Sequence, residues 1–182
     1  MAATVTIRRY TGTSGSPTLN DVTATTTIFN SSDNHYTSAT VNPVVIPTSS
    51  SNYSYWQAFR LSADTTPATS ISNLKVYTDG ANSSPSGVTW VGNTATSYVQ
   101  ATGTSGTTGI ILNTSNYATL AAAAADIFTW TSGSPKSVTG SISNPSTGAF
   151  GDWVVVQMVV ASSVTSTGTT TAEALSFVYD ET

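Results

Sequence analysis

Short apolar-rich stretches with a two-residue period recur along the whole chain, and each is cut off by a cluster of Gly, Ser, Thr, Pro or Asn. Successive strand side chains point to opposite faces, so this punctuation is that of an antiparallel sandwich or barrel; a βαβ fold would interleave helical repeats. Eleven stretches qualify, at 4–9, 22–29, 41–46, 53–62, 71–78, 88–91, 97–102, 109–112, 137–142, 152–161 and 172–180, and nine or ten of them are expected to be strands. Composition agrees, since 63 of the 182 residues are Ser or Thr and the β-branched Thr side chain fits a pleated, half-buried surface. The expected fold is all-β: one domain, 1–182, folded as an antiparallel β-sandwich of jelly-roll type. An immunoglobulin-like topology is the alternative, placed second because its strands usually number about seven.

Three stretches can be read face by face. In 72–78, Leu74 and Val76 point one way while Asn73, Lys75 and Tyr77 point the other, which makes a half-buried strand. Near the end, Leu175, Phe177 and Tyr179 share a face that should enter the core. The run 153–160 is apolar on both faces apart from Gln157, as suits a central strand covered on both sides. Its outer face therefore needs a cover beyond a second sheet. The segment 115–126 contains Ala121 to Ala125, and alanine is the best helix former. A short helix there, capped by Thr114 or Ser115, is the expected cover. The pentapeptide Thr-Gly-Thr-Ser-Gly occurs at 11–15 and at 102–106 with unrelated flanks, so it marks two loops.

Charge sets what the chain can do. Five Lys or Arg and nine Asp or Glu give a net charge of −4 and a pI of about 4.5, which removes attraction to phosphate backbones or anionic lipid. Neither nucleic acid nor membrane is expected as a partner. The first ten residues alternate apolar and polar rather than forming a leader, and no apolar run spans a bilayer, so the reading is a soluble chain made in a cytoplasm. No cysteine is present, which excludes a disulfide scaffold.

Little material remains for catalysis. There is no Gly-x-Ser-x-Gly elbow, and a Ser-His-Asp arrangement would have to use His35, whose neighbours Ser31 to Asn34 and Tyr36 are loop residues. A two-carboxylate hydrolase would have to use Asp152 and Glu173, which strand-end turns explain more simply. The stretch Asp79-Gly80-Ala81-Asn82 has too few oxygens for a calcium loop, and zinc ligands are lacking. No catalytic residue, cofactor site or metal site is expected. Arg8 and Arg9 are expected to pair with Asp180 and Glu181 if the termini meet.

Aromatic residues are both core material and the usual anchors of interfaces and sugar sites. In 53–61, Tyr53, Tyr55, Phe59 and Leu61 should share one face, and Trp56, Ala58 and Arg60 the other, with Arg60 over Trp56 as a cation–π pair. The stretches 55–61, 71–80, 151–158 and 175–181 together resemble small all-β structural proteins of tailed-bacteriophage virions, above all capsid decoration or cement proteins. The resemblance implies a non-enzymatic chain on the capsid surface, assembled in the host cytoplasm. Its partners would be the major capsid protein or other virion proteins and its own copies, often as trimers. Arg8, Arg9, Tyr10, Trp56 and Arg60 are the expected protein-interface residues. The competing reading is a carbohydrate-binding module of a tail fibre or secreted protein, which requires exposed rings.

Overall fold

The computed structural model describes residues 2–36, 38 and 40–182. Among them are thirteen strands: β1 (Val5–Thr11), β2 (Thr18–Asp21), β3 (Ser51–Tyr53), β4 (Gln57–Ala63), β5 (Ser70–Tyr77), β6 (Val88–Ala95), β7 (Gly103–Thr104), β8 (Thr108–Gly109), β9 (Ala125–Asp126), β10 (Lys136–Ser137), β11 (Ile142–Ser143), β12 (Gly148–Ala161) and β13 (Ser176–Glu181). One 3-10 turn, Ile127–Thr129, follows β9. The valine-rich run predicted to be central is central: β12 pairs with β4 and β3 along one edge and with β6 along the other.

The main sheet runs β2-β1-β4-β12-β6-β9, with β3 beside β12; the opposing sheet is built on β5, flanked by β13 on one side and by β10 and β11 on the other. All pairings are antiparallel. The chain is thus an all-β antiparallel sandwich. Taking the six long strands in chain order, the first, second, fifth and fourth neighbour one another in the main sheet, and the third and sixth pair in the other. That is the A-B-E-D and C-F arrangement of the immunoglobulin-like alternative.

Alternation explains the core between the sheets. Phe59, Leu61 and Ala63 of β4 and Val154, Val156, Met158 and Val160 of β12 face Ile71, Leu74 and Val76 of β5, all buried. Leu74 and Val76 share the buried face as read from sequence, and Leu175, Phe177 and Tyr179 pack against the same cluster. The predicted face of 53–61 holds only in part. Between the pairs Tyr53↔Val159 and Gln57↔Val156 the chain takes four steps against three on β12, and one extra residue flips the faces. Tyr55 therefore joins Trp56 in the outer cluster, away from Phe59.

The outer face of the main sheet is covered, but by a loop layer and not a helix. Segment 96–124 brings Tyr98, Leu112, Tyr117 and Leu120 over Ala58, Ala95 and Val155. The helix expected over 115–126 is absent: these residues form turns and the short strand β9. The Asn113 side chain accepts from the amides of Ser115 and Asn116, and the Asn93 amide donates to the carbonyls of Ala122 and Ala123. An isolated helix this short is marginal in water. The edge of β6 offers hydrogen bonds instead: the Thr94 carbonyl accepts from the Ala121 amide, and β9 pairs with Val91 and Gly92.

Candidate functional site

A buried polar cluster surrounds Arg9, which is 2% exposed. Its Nη1 donates to His35 Nδ1 at 3.0 Å and its Nη2 to the Asn34 carbonyl at 2.9 Å. A guanidinium can only donate, so His35 Nδ1 carries no proton. Burial lowers the Arg9 pKa from 12.5 to about 10, opposed by the charge of Asp33. The Asp33 carboxylate accepts from the Gly12 amide and from Gln100, and burial still raises its pKa. His35 is pushed down by burial and then by Arg9. These bonds tie the loop at 31–36 onto β1.

Other acids are likewise held by the fold. Arg8 lies 3.1 Å from Asp64 and 3.8 Å from Asp21, so Arg8 and Arg9 do not pair with Asp180 and Glu181 as expected. The termini do meet, through the Ala3 amide on Glu181 at 2.7 Å, while Asp180 accepts from Asn73. Asp79 and Asp126 cap local turns, and Glu173 accepts from the Ser83 amide. Asp152 sits in β12 near Arg60, its pKa raised by burial and then lowered in part by that charge. Among the described residues, no group of three or more His, Cys, Asp or Glu could hold a metal ion.

Of the five expected interface residues, Arg9, Tyr10 and Trp56 are buried within the chain. Trp56 donates its indole N–H to the Val99 carbonyl at 2.9 Å and packs on Tyr117. Tyr10 packs on Tyr98 and Trp153. Arg8 and Arg60 remain partly exposed. Arg60 does make a cation–π contact, but with Trp153, 4.1 Å from the ring centre, and its Nε donates to the Gly151 carbonyl. The cause is the bulge in β12 between Phe150 and Val154, where Gly151 adopts φ +75°. The displaced chain carries Trp153 over Arg60.

An apolar concavity lies elsewhere. A cavity of about 1010 Å³ enters the sandwich between the two sheets. Its inner wall is the core face of Phe59, Trp90, Met158 and Val160, and its flanks carry Val44, Ile46 and Leu175. Phe29 reaches in edge-on against Trp90, with ring centres 4.8 Å apart. The mouth is formed by the hydroxyl-rich segments 23–27 and 166–174, and Glu173 is the single charged residue lining the whole space. Nothing there can act as an acid–base pair. Sequence reasoning assigned strands to 22–29, 41–46 and 172–180; what it missed is that most of these residues have no ladder partner and border a cavity. Comparison with protein families, with curated proteins and with solved structures finds no match.

Proposed function

We propose that this chain is a non-enzymatic structural protein of a tailed-phage virion, a decoration or cement protein held on the capsid surface by the major capsid protein. The observation that carries this reading is the disposition of its acids. Eight of the nine carboxylates already accept hydrogen bonds within the chain, in most cases from backbone amides. They are fastenings of a rigid shape, and none faces another acid across a cleft. The surface left over is Ser, Thr and short aliphatic groups, whose immobilisation at an interface costs little. Many weak contacts of that kind, repeated by symmetry, give durable attachment.

The carbohydrate-binding alternative requires rings on the surface. Of the four Trp, eight Tyr and five Phe, ten are buried and seven half-buried, and the exposed large apolar residues are Leu19, Val45, Ile110, Ile111 and Val178. The test is reconstitution. Purified chain is added to shells stripped of their outer proteins, from the phage that encodes it, and pelleted. Saturable binding at a fixed ratio to the major capsid protein, with a rise in the temperature of genome release, is the expected result. Failure to pellet with any shell, together with retention on a glycan array, would refute the proposal.

A further inference from the structure

The loop at 31–36 is fastened in two different ways. Its first residue is held by groups that do not titrate: the Ser31 amide and hydroxyl donate to the Asn42 carbonyl, the hydroxyl also to Pro43, and the Ser31 carbonyl accepts from the Gly106 amide. Residues 33–36 lie over the end of β1 by four bonds among the described residues. Arg9 Nη1 donates to His35 Nδ1, Arg9 Nη2 to the Asn34 carbonyl, and the Gly12 amide and Gln100 Nε2 to one oxygen of Asp33.

The cation under this strap is incompletely satisfied. Arg9 is 2% exposed, its Nε has no acceptor among the described residues, and the two groups that its Nη atoms reach are neutral. A buried charge needs pairing and full hydrogen bonding, so closure over Arg9 carries a desolvation cost that the four bonds must offset. One of the four is conditional. A guanidinium only donates, so the bond to His35 exists only while Nδ1 keeps its lone pair. His35 is half-buried, hence within reach of solvent protons. A proton on Nδ1 would turn the acceptor into a donor and set two cations 3.0 Å apart.

We infer that residues 33–36 form a proton-operated strap over Arg9, seated while His35 Nδ1 accepts from the guanidinium and released when that nitrogen is protonated. The direction follows from linkage. Burial and then Arg9 hold the seated imidazole below its ordinary pKa, so the released form binds the proton better. The seated form is favoured above about pH 6.5 and loses ground as pH falls toward the lowered value. The other titratable groups around the pair are Asp33 and Tyr36 on the strap, Tyr98 from segment 96–124, which donates to the Gly12 carbonyl, and Tyr55, which faces the charge of Asp33. The tyrosines stay neutral in acid. Asp33 works against release, because burial raises its pKa and its protonation relieves a buried charge; His35 alone drives the strap open. Neither residue lies in a strand, so the sheets persist while this end of the molecule uncovers a cation. The inference stands on the fold and does not require the virion reading.

Nuclear magnetic resonance between about pH 7.5 and about pH 5 tests it on the wild-type chain, whose single histidine gives a single imidazole titration. The neutral ring should be the Nε2–H tautomer, with a midpoint below about 6.5. With that same midpoint the Gly12 amide should lose protection from hydrogen exchange several-fold, after correction for its intrinsic rate, while β12 amides keep theirs. His35→Asn places a carbonyl oxygen where Nδ1 stood and does not titrate, so Gly12 should stay protected across the range. Asp33→Asn can still accept both of its bonds and should leave the transition in place. If His35→Asn fails to fold, the wild-type tautomer and the shared midpoint decide. A midpoint at or above about 6.5, a titrating His35 with the Gly12 amide unmoved, β12 amides opening together with Gly12, or a transition that survives in His35→Asn would each overturn the inference.

Discussion

Gln157 is the polar interruption in an otherwise apolar central strand, and replacing it with Met should detach the loop layer from the main sheet. The side chain is 0% exposed. Its Oε1 accepts from the Leu112 amide at 2.7 Å, and its Nε2 donates to the carbonyls of Ser54 and Ile110, both at 2.8 Å. Met matches its length and shape, so Gln157→Met removes hydrogen bonds without opening a void. Three backbone groups lose their partner. Two of these bonds are fully buried, and each buried orphan costs about 1–3 kcal/mol. The third lies nearer the surface and costs less, while the added apolar burial returns about 1 kcal/mol. The expected loss is about 2–6 kcal/mol, which for a domain of this size lowers Tm by roughly 4–24 °C. Urea unfolding monitored by tryptophan fluorescence measures the first quantity, and hydrogen exchange at 109–113 shows whether the layer loosens. A variant within about 1 kcal/mol of wild type, with unchanged exchange there, would refute the view that this side chain fastens the layer.

Other expectations follow from the same geometry. A Cβ at Gly92 would stand 2.6 Å from the Val155 carbonyl oxygen and 3.1 Å from the Trp130 ring, so Gly92→Ala should cost about 1–3 kcal/mol in urea unfolding. Asn73 holds φ +53° within β5, at the register shift against β13; Asn73→Gly should stay within about 1 kcal/mol of wild type, and Asn73→Val should destabilise by more, because a β-branched residue resists that backbone. His35 has a folded pKa below its ordinary value, from burial and then Arg9, so the folded state binds fewer protons than the unfolded one. The stability this contributes is present above about pH 6.5 and is lost as pH falls toward the folded pKa. The urea midpoint of the wild type, compared with His35→Gln, should therefore fall further between pH 8 and pH 5; equal falls would refute it. Arg60→Lys loses the Nε bond to Gly151 and stacks less well on Trp153, and a loss of about 1 kcal/mol is expected in the same assay.

What was legible in the sequence was local. The alternation of Leu74 with Val76, and of Leu175 with Phe177 and Tyr179, needs only the pleat; the first two lie in the core as read, and the other three pack against it, half-buried. The apolar run at 153–160 required a cover on both faces, and it has one. The form of that cover was not legible. A helix over 115–126 was the local preference, and hydrogen bonds from Asn93, sixty residues from β12 in sequence but beside it in space, drew the alanines into extended turns. Arg60 found Trp153 rather than Trp56 because a bulge at Gly151 shifts one strand against another, and register is a property of the pair. Tyr10 and Trp56 were expected at an interface on composition, but core and interface draw on the same aromatic residues.

The scarcity of charge and the open side of the sandwich have a common physical reading. A chain that must stay alone protects its strand edges with Lys, with Pro, or with charged side chains pointing inward, because an unguarded edge recruits another strand. Segment 22–29 contains no charged residue and no Pro, and 166–175 contains only Glu173, bonded to the Ser83 amide. The edge strand β2, by contrast, ends at Asp21, 3.8 Å from Arg8 on the neighbouring strand β1. Charge thus stands on β2 and at the end of β13, at Asp180 and Glu181, while the segments that line the cavity mouth carry only Glu173. The unprotected side is also the side with the unfilled volume and the unpaired backbone. Edges left bare beside an apolar slot are suited to being paired by another strand.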